Sequence, residues 1–177
     1  MHRLFVAIRP PEPIRDLLID AMDDSADFRW QNDEQLHLTL RFIGEVDRPI
    51  AQDLADALTR IHAEAFNLRI QGTGRFEQRS SGALWAGVEP KAPVAALATK
   101  VERACLAVGL EPERRAFHPH VTLARWKGRR NREVAAFLEQ TRGVASDPFQ
   151  VDRFILFESR LSRHGAHYEA AASYELD

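Results

Sequence analysis

The tetrad His37-Leu38-Thr39-Leu40 returns 83 positions later as His120-Val121-Thr122-Leu123, and no other feature restricts the folds open to this 177-residue chain so strongly. An extended segment turns successive side chains to opposite faces. On a strand, each tetrad therefore sends His and Thr to one face and its apolar pair to the other, where Leu38 and Leu40, or Val121 and Leu123, anchor the strand in a core. A repeat this long, used only twice, does not describe a solenoid. It suits a duplicated lobe, with both copies contributing to one site.

The rest of the sequence supplies the elements such lobes require. Leu4 to Ile8 form a mostly apolar run suited to a central strand buried on both faces, and Pro10, Pro11 and Pro13 close it. Ile14, Leu17, Leu18 and Ala21 have helical spacing after those prolines. Phe28-Arg29-Trp30 reads as a short extended piece, and the first tetrad sits in a strand from about Leu36 to Ile43 that stops at Gly44. A helix is expected over about Pro49 to Ala65, and strands over Asn67 to Gln71 and Ala83 to Val88, joined by a polar stretch from Gly72 to Gly82 that suits a hairpin with a flexible tip. Further helices are expected over about Ala92 to Val108, capped by Gly109, and Asn131 to Arg142. Two strands, Phe149 to Ser159 and Tyr168 to Leu176, close the chain around a turn containing Gly165. The expected architecture is α+β: one domain over 1–177 with two pseudo-twofold lobes, whose antiparallel sheets face a central groove with helices outside.

Composition narrows the function. A formal net charge of −2 does not suit wrapping a long polyanion, although Arg114, Arg115, Arg125, Lys127, Arg129, Arg130 and Arg132 crowd around the second tetrad and leave room for a small anionic group. The single Cys105 permits no internal disulfide. The opening apolar run is broken by Arg9 and the prolines, unlike a signal peptide, and no stretch approaches the roughly 18 apolar residues of a membrane span. A soluble, cytoplasmic monomer is expected.

Two histidines from different strands suit concerted acid–base work, because an imidazole titrates near neutrality and can take or give a proton. Transfer at phosphorus needs both acts: one ring deprotonates the attacking oxygen while the other protonates the leaving oxygen. Thr39 and Thr122 can donate hydrogen bonds to the non-bridging oxygens as negative charge builds there. That scheme needs no metal or other cofactor. Arg41 shares the parity of His37 and Thr39, so on a regular strand it reaches the same cleft as an anion clamp; an ordinary surface arginine is the other reading. Strict alternation turns Arg125 away from His120 and Thr122, and only a strand end or bulge after Leu123 would return it. Trp30, Phe76 and Trp126 flank the tetrads and are candidates for stacking on bases, with core or rim packing as the alternative. Trp85 reads as core. His118 shares the parity of His120, and with His37 the three could form an imidazole metal site, to which the hydroxyls and Pro119 are poorly suited.

The paired H-x-T-L tetrads resemble those of the 2H phosphoesterase superfamily. The segments Leu36 to Val46, Leu84 to Val88 and Phe117 to Arg125 are similar to the bacterial RNA 2',3'-cyclic phosphodiesterase branch, also called 2'-5' RNA ligase, as are Arg3 to Ile8, Ser159 to Leu161 and Tyr168. The resemblance implies a bilobal fold with the site between lobes, and metal-free hydrolysis of RNA 2',3'-cyclic phosphate ends to 2'-phosphates, with ATP-independent 2'-5' ligation as a related activity. It implies His37 as proton donor, His120 as acceptor, Thr39 and Thr122 as phosphate-holding groups and Arg125 as a contact to the substrate phosphate. Two rival readings are a non-catalytic module that binds RNA ends, and a metal-dependent phosphoesterase using His37, His118 and His120.

Overall fold

A computed structural model describes residues 1–177. In chain order its elements are β1 (His2–Ile8), α1 (Glu12–Ala21), β2 (Arg29–Trp30), a 3-10 turn (Asp33–Gln35), β3 (Leu38–Val46), α2 (Arg48–Leu58), β4 (Phe66–Gln78), β5 (Ser81–Glu89), α3 (Lys91–Ala107), β6 (His120–Lys127), α4 (Asn131–Gln140), β7 (Phe149–Val151), β8 (Arg153–Ser162) and β9 (Gly165–Glu175). The strands run β7-β4-β5-β6-β3-β1-β8-β9, with β2 added along β6. Every pairing between these strands is antiparallel.

The sheet divides where β3 meets β6, because the two strands share the single pair Leu38↔Val121. On one side lie β1, β3, β8 and β9, and on the other β4, β5, β6 and β7. These are the two lobes, and each tetrad opens the innermost strand of its own. The lobes are not the two halves of the sequence, however, since the closing hairpin β8–β9 returns to pair with β1 in the first lobe. Helix α3 packs on α2 and on β3, α2 on β1, and α4 on β4. Leu38, Leu40, Val121 and Leu123 all enter one cluster of 36 buried apolar residues, as the alternation in the tetrads requires. Burying a side chain of this kind contributes about 1.5 to 3 kcal/mol, so the strands carrying the tetrads are firmly seated.

The single strand expected over Phe149 to Ser159 is split at Asp152 into β7, which pairs with β4, and β8, which pairs with β1, and the strand expected to stop at Gly44 runs through it to Val46 because β1 continues alongside. Helix α2 and the β4–β5 hairpin also depart from expectation. Helix α2 ends at Leu58, because Thr59 turns back on the Asp56 carbonyl and the next residues are taken by tertiary pairing: Ala65 N–H donates to Asp177 O at 2.8 Å and Asp177 N–H to Ala63 O at 2.9 Å. The hairpin expected around Gly72 to Gly82 forms, but its strands run almost to the tip, with only Arg79 and Ser80 between β4 and β5. Its glycines make space: a Cβ on Gly74 would lie 2.3 Å from the Trp85 ring, and one on Gly82 would lie 2.2 Å from the Trp126 ring. They read as flexibility in the sequence, but close indole packing is what they permit.

Candidate active site

Both histidines stand at strand starts, and both are oriented by the same local contact. His37 Nδ1 donates to Gln35 O at 2.7 Å, and His120 Nδ1 donates to His118 O at 2.5 Å, each carbonyl two residues upstream. A proton fixed on Nδ1 leaves Nε2 as the nitrogen free for chemistry. In His37 that nitrogen meets Thr39 Oγ1 at 2.9 Å.

The two supports differ in stiffness. Gln35 belongs to a 3-10 turn closed by a capping box with Asn32, and Gln35 Nε2 donates to Ala166 O at 3.0 Å. Arg9 Nη1 donates to the carbonyls on either side, Glu34 O and Leu36 O, at 3.0 Å each, while Asp33 holds Arg15 at 3.0 Å. His118 instead lies on the exposed segment between α3 and β6, moored by Glu102 Oε1 to Glu113 N–H at 3.1 Å and by Arg41 to Glu111 O.

Aromatic rings surround each imidazole. Phe5 is 4.7 Å from the His37 ring and Tyr168 meets it edge-on at 5.4 Å. Around His120, Phe76 lies edge-on at 4.9 Å and Trp85 at 6.2 Å. Desolvation by this packing lowers both imidazoles below their ordinary range, His37 to about 4. Smaller contributions come from Arg125, which opposes protonation of both rings, and from His120 acting on His37. The two histidines and Arg125 therefore share one electrostatic environment. Burial raises the Tyr168 phenol, which stays neutral and able to donate. A groove of about 1690 Å³ passes His37, Thr39, His120, Thr122 and Arg125.

Arg41 and Arg125 show how far strand parity can be trusted. Across β1–β3, Ala7 pairs with Thr39 but Val6 pairs with Arg41, so Leu40 is an extra residue in a bulge. Cross-strand partners share a face, and Val6 belongs to the main core. Arg41 is thereby turned towards α3, where Nε donates to Glu102 Oε2 at 2.7 Å with the side chain 8% exposed. It borders the same groove, as expected, but its guanidinium is engaged by Glu102 and by the Phe42 and Glu111 carbonyls. Across β5–β6, Trp85 pairs with Thr122 but Leu84 pairs with Ala124, making Leu123 the extra residue. Here the same slip returns Arg125 to the face of Thr122, opposite Ala83, and leaves it exposed.

The aromatic candidates separate. Phe76 stands in the groove beside His120. Trp30 packs on Phe28 and Phe137 at 5.4 Å each and donates Nε1–H to Ser25 O, which is rim packing. Trp126 is buried against Phe28 in the core. Trp85, expected in the core, lies on the groove face because its partner is Thr122. Sequence reasoning missed Phe5, whose alternation with Leu4 and Val6 in a strand buried on both faces was the available signal, and it gave Tyr168 no place beside His37. No group of three His, Cys, Asp or Glu side chains is placed to hold a metal ion, so His37, His118 and His120 do not converge as ligands. No helix is long and apolar enough to cross a membrane.

Comparison with known proteins gives consistent matches. Residues 10–163 match the family model described as the 2'-5' RNA ligase superfamily. An RNA 2',3'-cyclic phosphodiesterase from Aeropyrum pernix is 38% identical over 140 residues, covering 77% of this chain and 80% of the relative. One from Escherichia coli is 32% identical over 137 residues, covering 70% and 72%. Escherichia coli LigT in its apo form superposes with a TM-score of 0.81 at 26% identity over 99% of this chain and 97% of LigT, and its complex with 3'-AMP with a TM-score of 0.82 at 25% identity over 99% and 98%.

Proposed function

The chain belongs to the 2'-5' RNA ligase superfamily, and we propose that it opens the 2',3'-cyclic phosphate at an RNA end to a 2'-phosphomonoester through acid–base catalysis shared by His37 and His120. The observation that carries this reading is the matched pair of imidazoles, each with Nδ1 fixed on a carbonyl and Nε2 left for chemistry, beside one arginine that acts on both.

In the proposed reaction His120 Nε2 takes a proton from water as the water oxygen bonds to phosphorus. The bond from phosphorus to O3' breaks, and His37 Nε2 gives its proton to O3', leaving the phosphate on O2'. Arg125 holds the non-bridging oxygens, with Thr39 and Thr122 donating to them as charge accumulates. Phe76 offers a face to the terminal base. A 5'-hydroxyl in place of water gives a 2'-5' linkage by the same two proton transfers, without ATP. The protein acts as a single-domain monomer in the cytoplasm, on RNA or oligonucleotides, with no metal or cofactor.

The decisive experiment incubates a short RNA bearing a 2',3'-cyclic phosphate with the protein in excess chelator and assigns the product. A 2'-phosphomonoester formed at an undiminished rate is expected. Turnover that disappears and returns with Zn²⁺ or Mn²⁺ would establish the metal-dependent alternative, and binding without turnover would establish a module that only recognises RNA ends.

A further inference from the structure

We propose that Arg29 and Lys127 form a second phosphate subsite next to Arg125, which grips the phosphodiester on the 5' side of the terminal nucleotide and makes an RNA chain a better substrate than a mononucleotide. The inference rests on the cyclic phosphodiesterase reading and extends it from the reacting group to the chain behind it.

Strand β2 is only two residues long, and its pairing sets Arg29 directly opposite Arg125 and Trp30 opposite Ala124. Like charges at directly opposed positions destabilise a sheet, so this pair needs an explanation beyond folding. Neither guanidinium is in an ion pair, nor is Lys127, whereas neighbouring Arg130 is engaged by Asp27 at 3.4 Å. Arg29, Arg125 and Lys127 all line the groove. Their surroundings leave them open, since the partners of Arg125 and Lys127 across β5 are the small Ala83 and Ser81. Arg29 is held in place by its neighbour: Trp30 is locked against Phe28 and Phe137 and hydrogen-bonded to Ser25 O.

The direction of the strip fixes the ligand. Arg125 and Lys127 are two positions apart on one strand, about 6.7 Å along it, and lead away from His120 and Thr122. A cyclic phosphate closes the 3' end of an RNA, so every other phosphate of the chain lies on the 5' side of the terminal nucleoside. The anion that continues from the reacting phosphate is the next phosphodiester. A nucleoside 2',3'-cyclic phosphate with a free 5'-hydroxyl has none.

The test compares kcat/KM for such a mononucleotide and for a trinucleotide with the same terminal nucleoside, in the parent protein and in Arg29→Gln, Arg29→Lys and Lys127→Gln. The trinucleotide should be favoured by about tenfold or more, chiefly through KM, as contacts to a charged group commonly give. Arg29→Gln should remove most of that advantage while mononucleotide turnover stays within about twofold, and Arg29→Lys should keep part of it. The slope of log kcat/KM against log salt for the trinucleotide should flatten by about 0.7 for each lost contact. Melting temperature should be unchanged or higher in Arg29→Gln, because a like-charge pair is relieved. If the parent protein does not turn over the mononucleotide or the trinucleotide, the parent reading has failed. If it turns over both equally, or if Arg29→Gln slows both alike, the subsite is refuted, and in the latter case Arg29 serves the reacting phosphate. Should Arg29→Gln melt early, Lys127→Gln at the exposed strand end decides by the same comparison.

Discussion

Phe42 holds, in the first lobe, the place that Arg125 holds in the second. The 83-residue offset of the tetrads carries position 42 to 125, and each residue reaches the groove face just past a one-residue bulge, Phe42 paired with Phe5 and Arg125 with Ala83. Phe42 is covered by the Arg3 guanidinium, 5.3 Å from its ring. A site with twofold symmetry in its histidines and threonines is thus asymmetric at this position: the second lobe supplies an arginine from the tetrad strand itself, and the first an aromatic ring with Arg3 of the neighbouring strand over it.

Arg125→Met should therefore weaken the hold on the phosphate, lowering kcat/KM by roughly tenfold to a hundredfold. It should also raise the titration midpoints of both imidazoles in the free protein, since Arg125 opposes their protonation. Proton NMR of the histidine rings reads the second effect without substrate. Midpoints that stay where they were would show that Arg125 does not act on the pair.

The activity profile should be bell-shaped and displaced to acid. The reacting form carries one proton on the pair, and both imidazoles are lowered by burial, so kcat/KM should peak below pH 6.5 and fall on the alkaline side as that proton is lost. A bound phosphodiester anion favours the imidazolium, so the alkaline limb of kcat should lie at higher pH than that of kcat/KM. A kcat/KM still rising through pH 8 would contradict this.

Stability should follow the same groups. A histidine depressed in the folded state binds its proton more readily when unfolded, so its neutral form favours folding above pH 6.5 and that contribution is lost as pH falls towards 4. For His37 this amounts to on the order of 3 kcal/mol. Denaturant titrations at pH 7 and pH 4 should show the difference, and His37→Gln should reduce it.

Replacing the 3' bridging oxygen of the substrate with sulfur separates the two histidines. A thiolate departs with little help from an acid. His37→Ala should recover much of its lost rate on that substrate, while His120→Ala should not, because water still needs its base. Rescue in the His120 variant would reverse the assignment, and rescue in neither folded variant would leave both rings as phosphate binders only.

Thr39→Val and Thr122→Val keep the shape and remove a donor, and each should cost about tenfold to a thousandfold in kcat with the fold retained. Thr39→Val should also disturb the His37 ring, whose Nε2 sits 2.9 Å from that hydroxyl. Parental rates in both variants would make the hydroxyls structural.

The sequence by itself determined the parts that depend on local period and chain chemistry. Alternation in each tetrad put Leu38, Leu40, Val121 and Leu123 in the core, and helical spacing located α1, α3 and α4 to within a few residues. The repeat announced two lobes and two histidines. Boundaries slipped where distant chain supplied the partners, as at Ala63 and Ala65, whose hydrogen bonds go to Asp177. The closing hairpin joined the first lobe for the same reason, because β8, paired with β9 on one edge, takes β1 from the far end of the chain as its other partner.

Only the tertiary structure decided which charged groups face the groove. A bulge is a property of two strands in register, so a one-strand pattern cannot contain it, yet one extra residue moves every later side chain to the other face. At Leu40 that slip turned Arg41 to Glu102 and set Phe42 in the groove; at Leu123 it brought Arg125 to the histidines and placed it opposite Arg29, 96 positions earlier in the chain.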